Sequence, residues 1–381
     1  MSNRVLIVDD DPNLLAGFRR RLRRQFELET ASGGREGLEA IRRGGPFSVV
    51  VSDYLMPEID GVEFLARVRE HAPETVRMML TGSADLHAAI QAINQGHIYR
   101  FLTKPCGTEE LVEALHAGIG EYRRTHKERK FNRRTRRWLN QAMEVQQSLL
   151  PNAGPVLEGL DIFGRSVFCD QTGGDYYDYF EKDEPGGRIV NIVVGDVSDH
   201  GLPSALLMTS ARAFFRERAL QRECVSEIVA GVNRQLTHDT QTSGRFMTAF
   251  FAEIDPSACT LRWVRAGHEP AMLYDPAADA FADLAGAGGL PLGVFADARY
   301  EAEQRSLSPG QVIVIGTDGV WEARNTAGRM FGKSAMRQIV RDAAREPSEA
   351  IVAAVFESLM RFLAPGHLQD DATLVALKVG G

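Results

Sequence analysis

The sequence predicts an α/β domain on a five-stranded parallel sheet, then a helical linker, then an α+β domain of two packed sheets. Three observations carry this. Between residues 4 and 120, short apolar runs alternate with helix-patterned segments. From Glu121 to Arg137 there are nine Lys/Arg against two Glu, a sharp change of composition between differently patterned halves. After Pro151 the apolar runs lengthen and strict alternation stops. The boundaries expected from these shifts are 1–120, 121–150 and 151–381.

In the first domain the expected strands are Val5–Val8, Phe26–Thr30, Val49–Val51, Arg77–Leu80 and Ile98–Leu102. The intervening helices carry apolar residues three and four apart: Leu14, Leu15, Phe18, Leu22; Leu38, Ile41; Val62, Leu65, Val68; and Leu86, Ile90, Ile93. Strand–helix alternation calls for a parallel sheet covered on both faces. In such sheets ligands bind beyond the strands' carboxyl ends.

The polar residues fall at those ends. Asp9 and Asp10 end the first strand, Asp53 the third, Thr81 the fourth and Lys104 the fifth. Carboxylates converging in one crevice repel unless a hard cation such as Mg2+ sits among them. A nearby lysine supplies a movable charge for an anion. This is the chemistry of a carboxylate that accepts a phosphoryl group, with Asp53 as nucleophile and Lys104 neutralising the incoming charge.

Val8-Asp9-Asp10-Asp11-Pro12, the run Ser52 to Gly61, Thr81-Gly82 and Lys104-Pro105 resemble the receiver domain of two-component response regulators in type, order and position. The resemblance covers about the first 120 residues and implies a flavodoxin-like fold. It also implies that Asp53 is the phosphoacceptor, that Asp9 and Asp10 hold Mg2+ with it, that Thr81 senses the phosphate and that Lys104 contacts it. A cis Lys104-Pro105 bond is expected, and the aromatic switch position is Phe101, which has no hydroxyl. The implied partner is a sensor histidine kinase or phosphotransfer protein.

In the linker, Leu115, Ile119 and Tyr122 continue the last helix of the first domain. Phe131, Trp138, Ala142, Val145 and Leu149 form a second heptad-like piece, out of register with the first. A coiled-coil-like stalk that makes a homodimer is expected, with the register break as a hinge. Pro151 closes the helix.

In the second domain the expected strands are Leu160–Cys169, Tyr176–Phe180, Ile189–Val194, Met247–Ile254, Thr260–Ala266, Ala271–Tyr274, Gln311–Ile315 and Thr373–Val379. Helices are expected at Pro203–Ala219, Val225–Leu236 and Ser334–Leu363. Four acidic turns stand out: Gly173-Gly174-Asp175, Gly195-Asp196-Val197, Thr317-Asp318-Gly319 and Asp370-Asp371. Four carboxylate sites without adjacent His or Cys point to oxygen ligation of Mg2+ or Mn2+, not Zn2+. Two such ions side by side suit a water attacking phosphorus in line.

These turns, with Gly267-His268-Glu269-Pro270, Gly289 to Gly293 and Asp318 to Ala323, resemble the PP2C-type metal-dependent serine/threonine phosphatases, in their SpoIIE/RsbU-like branch. The resemblance runs from about Gln141 to Val379. It implies that Asp196 bridges two Mn2+ or Mg2+ ions with help from the Val197 carbonyl, and that Asp318 and Asp370 complete the shell. Asp175 orients metal waters or binds an ion, and Asp178 and Asp371 are further candidate metal residues of the set. Asp199 stands where the pattern has glycine, so altered loop or substrate contacts are expected there. His200 and His268 read as turn residues, and Tyr176, Tyr177 and Tyr179 as packing.

The domain order implies a phosphorylation-gated enzyme acting on a phosphorylated, STAS-like anti-sigma-factor antagonist. The alternative is a catalytically silent adaptor that binds a sigma factor or other partner when the receiver is phosphorylated. A DNA-binding output is not expected, because the formal charge is −7 and no helix-turn-helix or basic reading surface falls in the second domain. No apolar run is long enough to span a bilayer, and the N-terminus lacks a signal pattern, so a cytoplasmic location is expected. The four cysteines, with no CxxC pair, are expected to be reduced and mostly buried.

Overall fold

The computed structural model describes residues 3–82, 98–155, 157–184, 187–221 and 223–380. The chain divides into two compact units, Met1–Arg136 and Arg137–Gly381.

The first unit contains strands β1 (Arg4–Val8), β2 (Glu27–Ala31), β3 (Val49–Asp53), β4 (Val76–Gly82) and β5 (Arg100–Lys104). All pair in parallel, in the order β2-β1-β3-β4-β5. The three central strands, β1, β3 and β4, are buried on both faces because helices cover both. Val5, Ile7, Val49 and Val51 pack with α1 (Pro12–Leu22) and the start of α4 (Thr108–Leu149). Leu6, Val8 and Val50 pack with α2 (Gly34–Gly44) and α3 (Gly61–His71). The expected helix carrying Leu86, Ile90 and Ile93 lies outside the described residues. The expected β5 starts two residues later than the sequence suggested.

Local chemistry sets the helix starts. Asp11 caps α1, accepting from the Asn13 and Leu14 amides, with Pro12 in the first turn. Asp60 caps α3 through the Glu63 amide at 2.8 Å. Leu115, Ile119 and Tyr122 are buried in the first unit's core and are not part of an exposed seam. The helix α4 is 42 residues long and includes the basic segment. Phe131, Trp138 and Val145 are exposed along it.

The second unit holds two five-stranded sheets, and every pairing within them is antiparallel. One has the order β13-β10-β9-β8-β7 and the other β12-β11-β14-β15-β6. Their strands are β6 (Leu160–Val167), β7 (Tyr176–Glu184), β8 (Gly187–Val197), β9 (Met247–Asp255), β10 (Thr260–Ala266), β11 (Ala271–Asp275), β12 (Ala280–Leu284), β13 (Glu303–Ser306), β14 (Val312–Gly316) and β15 (Ala372–Val379). The helices α5 (Leu202–Ala219) and α6 (Val225–Thr240) cover the first sheet, where Phe215 stacks on Phe251 at 5.6 Å. On the second sheet lie α7 (Asp318–Trp321), α8 (Lys333–Asp342) and α9 (Ser348–Leu363). This is a sandwich between two helical layers.

Three expectations change here. The span Ser334–Leu363 is two helices, because Pro347 has no amide to continue the first and sits at the cap of the second. Strands β12 and β13 were not expected; β13 is an edge strand with all four residues exposed, so it carries no apolar alternation. All four cysteines are free, but none is buried: Cys224 and Cys259 are exposed, at a helix cap and a turn. Among the described residues no helix is long and apolar enough to cross a membrane.

Candidate functional sites

In the first unit the parallel sheet delivers its polar residues to one end. Asp53 is the last residue of β3, Thr81 the penultimate residue of β4, and Lys104 the last of β5. The Lys104 Nζ lies 2.6 Å from Asp53 Oδ1 and 2.7 Å from Asp9 Oδ2. Asp9 and Asp53 are buried, while Asp10 is exposed. Burial pushes the Asp53 carboxyl up, and the Lys104 contact pulls it back without restoring its ordinary value. Oxygens of Asp9, Asp10 and Asp53 lie within 4.8 Å of one another; among the described residues no other trio of His, Cys, Asp or Glu atoms is gathered so tightly. Three carboxylates facing one lysine leave excess negative charge, so this donor set fits a hard divalent cation.

The backbone around Asp53 is closely packed. A Cβ at Gly61 would lie 2.1 Å from the Asp53 carbonyl oxygen, and the Gly61 amide donates to Tyr54 O at 2.9 Å. Thr81 is buried beside β5. The Lys104-Pro105 bond is cis, as expected. Phe101 is half-buried and packs on the α2/α3 side of the sheet. A contact the sequence did not signal lies at the opposite end of this unit: Glu74 pairs with His126 at 2.7 Å and Arg129 at 3.4 Å from α4.

In the second unit the four acidic turns meet at one end of the sandwich. Asp175 leads into β7 and Asp196 closes β8, in one sheet; Asp318 follows β14 and Asp370 precedes β15, in the other. Thr317 joins the two halves. Its Oγ1 donates to Asp175 Oδ2 at 2.7 Å and accepts from the Thr373 amide at 3.0 Å. Asp175 is fully buried, and burial followed by Asp196 and Asp371 pushes its carboxyl well up. Asp196 is pushed up to about 8 by burial, then by Asp318, Asp370 and Asp371. Every one of those influences acts in the same direction. Asp318 and Asp370 are raised as well, by burial first and then by acidic neighbours.

Glycine makes this crowding possible. A Cβ at Gly174 would lie 2.7 Å from the Val197 carbonyl oxygen, and one at Gly319 would lie 2.0 Å from the Asp371 carbonyl oxygen. Asp318, Glu322, Arg324, Gln369 and Asp370 line a cleft of about 220 Å³. Carboxylates that raise one another, with a backbone carbonyl among them and no basic group acting on Asp196, fit divalent cations by the chemistry of the donor set.

The two further acids have protein partners of their own. Asp178 is fully buried and bound by Arg216 at 2.6 and 2.8 Å and by the Tyr176 hydroxyl at 2.9 Å, so it is a core ion pair and not a metal ligand. Asp371 spends both oxygens on backbone amides, from Cys169 at 2.8 Å and Gly174 at 2.7 Å; it shapes the turn before Asp175. His268 is buried between Thr248 and Gly316. His200 is exposed, 3.9 Å from Asp170. Asp199 has φ 64, the left-handed conformation that explains the usual glycine, and lies 3.6 Å from Arg245.

Known families match both domains. The profile of the family described as Stage II sporulation protein E (SpoIIE) matches residues 186–380, and that of the response regulator receiver domain matches residues 5–116. The phosphoserine phosphatase RsbU of Bacillus subtilis is 31% identical over 237 residues, covering 62% of this chain and 68% of that protein. The phosphoserine phosphatase RsbP of the same organism is 24% identical over 253 residues, covering 65% of this chain and 59% of that one. The solved SiaA-PP2C domain of Pseudomonas aeruginosa, 23% identical, has a TM-score of 0.55, covers 65% of this chain and 98% of that domain, and shows the shared fold.

The fold of the second domain is thus that of the PP2C class of serine/threonine phosphatase. The chain belongs to the SpoIIE family and carries a response-regulator receiver domain at its N-terminus.

Proposed function

We propose that this protein is a response regulator whose output is a metal-dependent protein serine/threonine phosphatase, gated by phosphorylation of Asp53. The observation that supports catalysis most directly is Asp196: it is crowded by Asp318, Asp370 and Asp371 and relieved by no basic group. An adaptor has no use for such a mutually destabilising set.

Asp196, Asp318, Asp370 and the Val197 carbonyl would hold two Mn2+ or Mg2+ ions, with Asp175 behind them orienting water. Bound there, the ions supply Lewis acidity toward the phosphoryl oxygens and toward water. The chain's own residues do the rest. Thr317 fixes Asp175 by its hydroxyl, Asp371 fixes the Gly173–Asp175 turn through two amides, and Gly174 lets the Val197 carbonyl approach.

In the receiver, Asp53 would take a phosphoryl group from a histidine kinase or phosphotransfer protein. Its Oδ attacks phosphorus as the bond to the donor nitrogen breaks; Asp9, Asp10 and Asp53 would hold a Mg2+ ion, which would supply charge to offset that of the phosphoryl group. Lys104, already bonded to Asp53, would follow the phosphate, and Thr81, one residue beyond the β4 partner of Asp53, would sense it. The substrate of the phosphatase is a phosphoserine or phosphothreonine on an anti-sigma-factor antagonist of the STAS type. Likeness to RsbU and RsbP supports this assignment. The exposed Phe131, Trp138 and Val145 support a homodimer through the 121–150 linker, between a receiver at 1–120 and a phosphatase at 151–381.

The test is Mn2+-dependent hydrolysis of p-nitrophenyl phosphate and of phosphorylated antagonists, with and without acetyl phosphate, against Asp196→Ala. A wild-type protein that binds Mn2+ yet cleaves neither substrate in either receiver state overturns the enzymatic reading.

A further inference from the structure

The helix α4 ends against the phosphatase domain, and one of its side chains reaches the acidic seam's supports. Gln146 is buried, with about 4% of its surface exposed. Its Nε2 donates to Gly173 O at 2.6 Å, and its Oε1 accepts from Gly173 N at 3.1 Å. The side-chain amide thus pairs with a single residue's backbone in both directions, as a neighbouring strand would. The next amide along, Gly174 N, is held by Asp371, and the next residue is Asp175. Gln146 and Asp371 together fix successive peptide groups of the turn that aims Asp175.

Two further bonds lock the same helical end in place. Arg212 Nε donates to Leu149 O at 2.9 Å, and the Tyr177 hydroxyl donates to Pro151 O at 2.9 Å. Both donors come from elements of the catalytic domain, α5 and β7. The end of α4 therefore has one seat. A shift of one residue along a helix means roughly 1.5 Å of translation and 100° of rotation. A shift in the direction that brings Val145 into the place of Gln146 would break both bonds to Gly173 at once.

We propose that Gln146 is a positioning residue for the phosphatase site: it acts through Gly173 to hold Asp175, and so makes the seam's competence depend on the seating of the helix that leads into the domain. This rests on the phosphatase reading above and names the contact through which that site is regulated. Only a side chain that both donates and accepts can satisfy Gly173. Leucine does neither. A glutamate does both when protonated, but when ionised it repels the Gly173 carbonyl.

The experiment uses the full-length protein with Gln146→Leu and Gln146→Glu. Removal of a group that orients a metal-site residue is expected to lower kcat, and raise the Mn2+ concentration needed for half-maximal activity, by roughly tenfold. In Gln146→Leu the KM for p-nitrophenyl phosphate stays within about twofold, as expected when ground-state substrate binding is untouched. In Gln146→Glu, activity relative to wild type falls as pH rises from 5.5 to 8.5, a signature that loose packing alone does not produce. A second readout needs no turnover: the Mn2+-induced rise in melting temperature shrinks in Gln146→Leu, and the Gly173 and Gly174 amides exchange hydrogen faster. Wild-type kcat and Mn2+ requirement in both variants overturn the proposal, as does a loss in Gln146→Glu that is the same at every pH. If wild type itself turns over no phosphoester, the phosphatase reading fails, and the melting shift and amide exchange still decide whether Gln146 positions this turn.

Discussion

The Thr317 hydroxyl donates to a carboxylate oxygen of Asp175 at 2.7 Å, and this bond crosses from the end of β14 in one sheet to the start of β7 in the other. Asp175 has almost no solvent to fall back on. Thr317→Val keeps the shape and removes the donor, and leaving such a group unsatisfied costs about 1–3 kcal/mol. Urea unfolding of the metal-free protein should show that loss, while Thr317→Ser stays near wild type. Equal stability of the two variants would mean the bond carries no weight.

His268 gives the domain an acid limb of its own. Burial pushes its imidazole down to about 4, and its two ring nitrogens meet the Thr248 hydroxyl and the Gly316 carbonyl. The unfolded chain binds this proton near pH 6.5 and the folded one does not, so stability is full above about pH 6.5 and falls as pH drops toward 4. The slope from this one group is at most about 1.4 kcal/mol per pH unit. Denaturation midpoints measured from pH 7 to 5 should fall in wild type and flatten in His268→Gln. Its ring proton resonances should not titrate above pH 5.

Asp199 isolates a backbone requirement. At φ 64 a side chain with a Cβ is crowded, and aspartate tolerates this better than most. The Arg245 contact at 3.6 Å is too exposed at Asp199 to add much. Asp199→Ala should therefore lose about 1 kcal/mol, while Asp199→Gly stays within about 0.5 kcal/mol of wild type. Thermal melts of the pair check this; a larger loss in the glycine variant would make the Arg245 contact the dominant interaction.

In the receiver, Asp53→Asn should abolish the mass increase produced by acetyl phosphate. Lys104→Met leaves Asp9 and Asp53 facing each other unpaired. A loss of about 1–3 kcal/mol is expected, less than for a fully buried pair because Lys104 is one-third exposed. Calorimetry should show Mg2+ raising the melting temperature more in this variant than in wild type, since the cation replaces the missing charge. An equal rise in both proteins would count against Mg2+ binding at these carboxylates.

What the sequence made legible follows from locality. Strand–helix alternation, glycine beside aspartate and a proline after a helix are all short-range patterns, and they located both acidic ends of the fold. The glycines were legible because a Cβ at Gly61, Gly174 or Gly319 collides with backbone. Contacts across the chain left no such trace. Gln146 reads as one more polar residue on a charged helix until Gly173 is found beside it. Asp178 and Asp371 read like the other acidic-turn residues, and their partners, Arg216 for the one and two backbone amides for the other, come from far along the chain. Strand β13 was invisible because an exposed edge strand needs no apolar residues.

Two of the four acidic turns belong to each sheet. Strands within a sheet are tied by hydrogen bonds, whereas the two layers meet mainly through side chains, so the softest displacement available to a sandwich is shear of one layer past the other. Such shear leaves the spacing of Asp175 and Asp196 within their own layer nearly unchanged, and alters their spacing from Asp318 and Asp370. The acidic seam therefore works as a vernier: it converts a fraction of an ångström of slip between layers into a change of donor geometry, and anything gripping all four turns staples the layers in a single register.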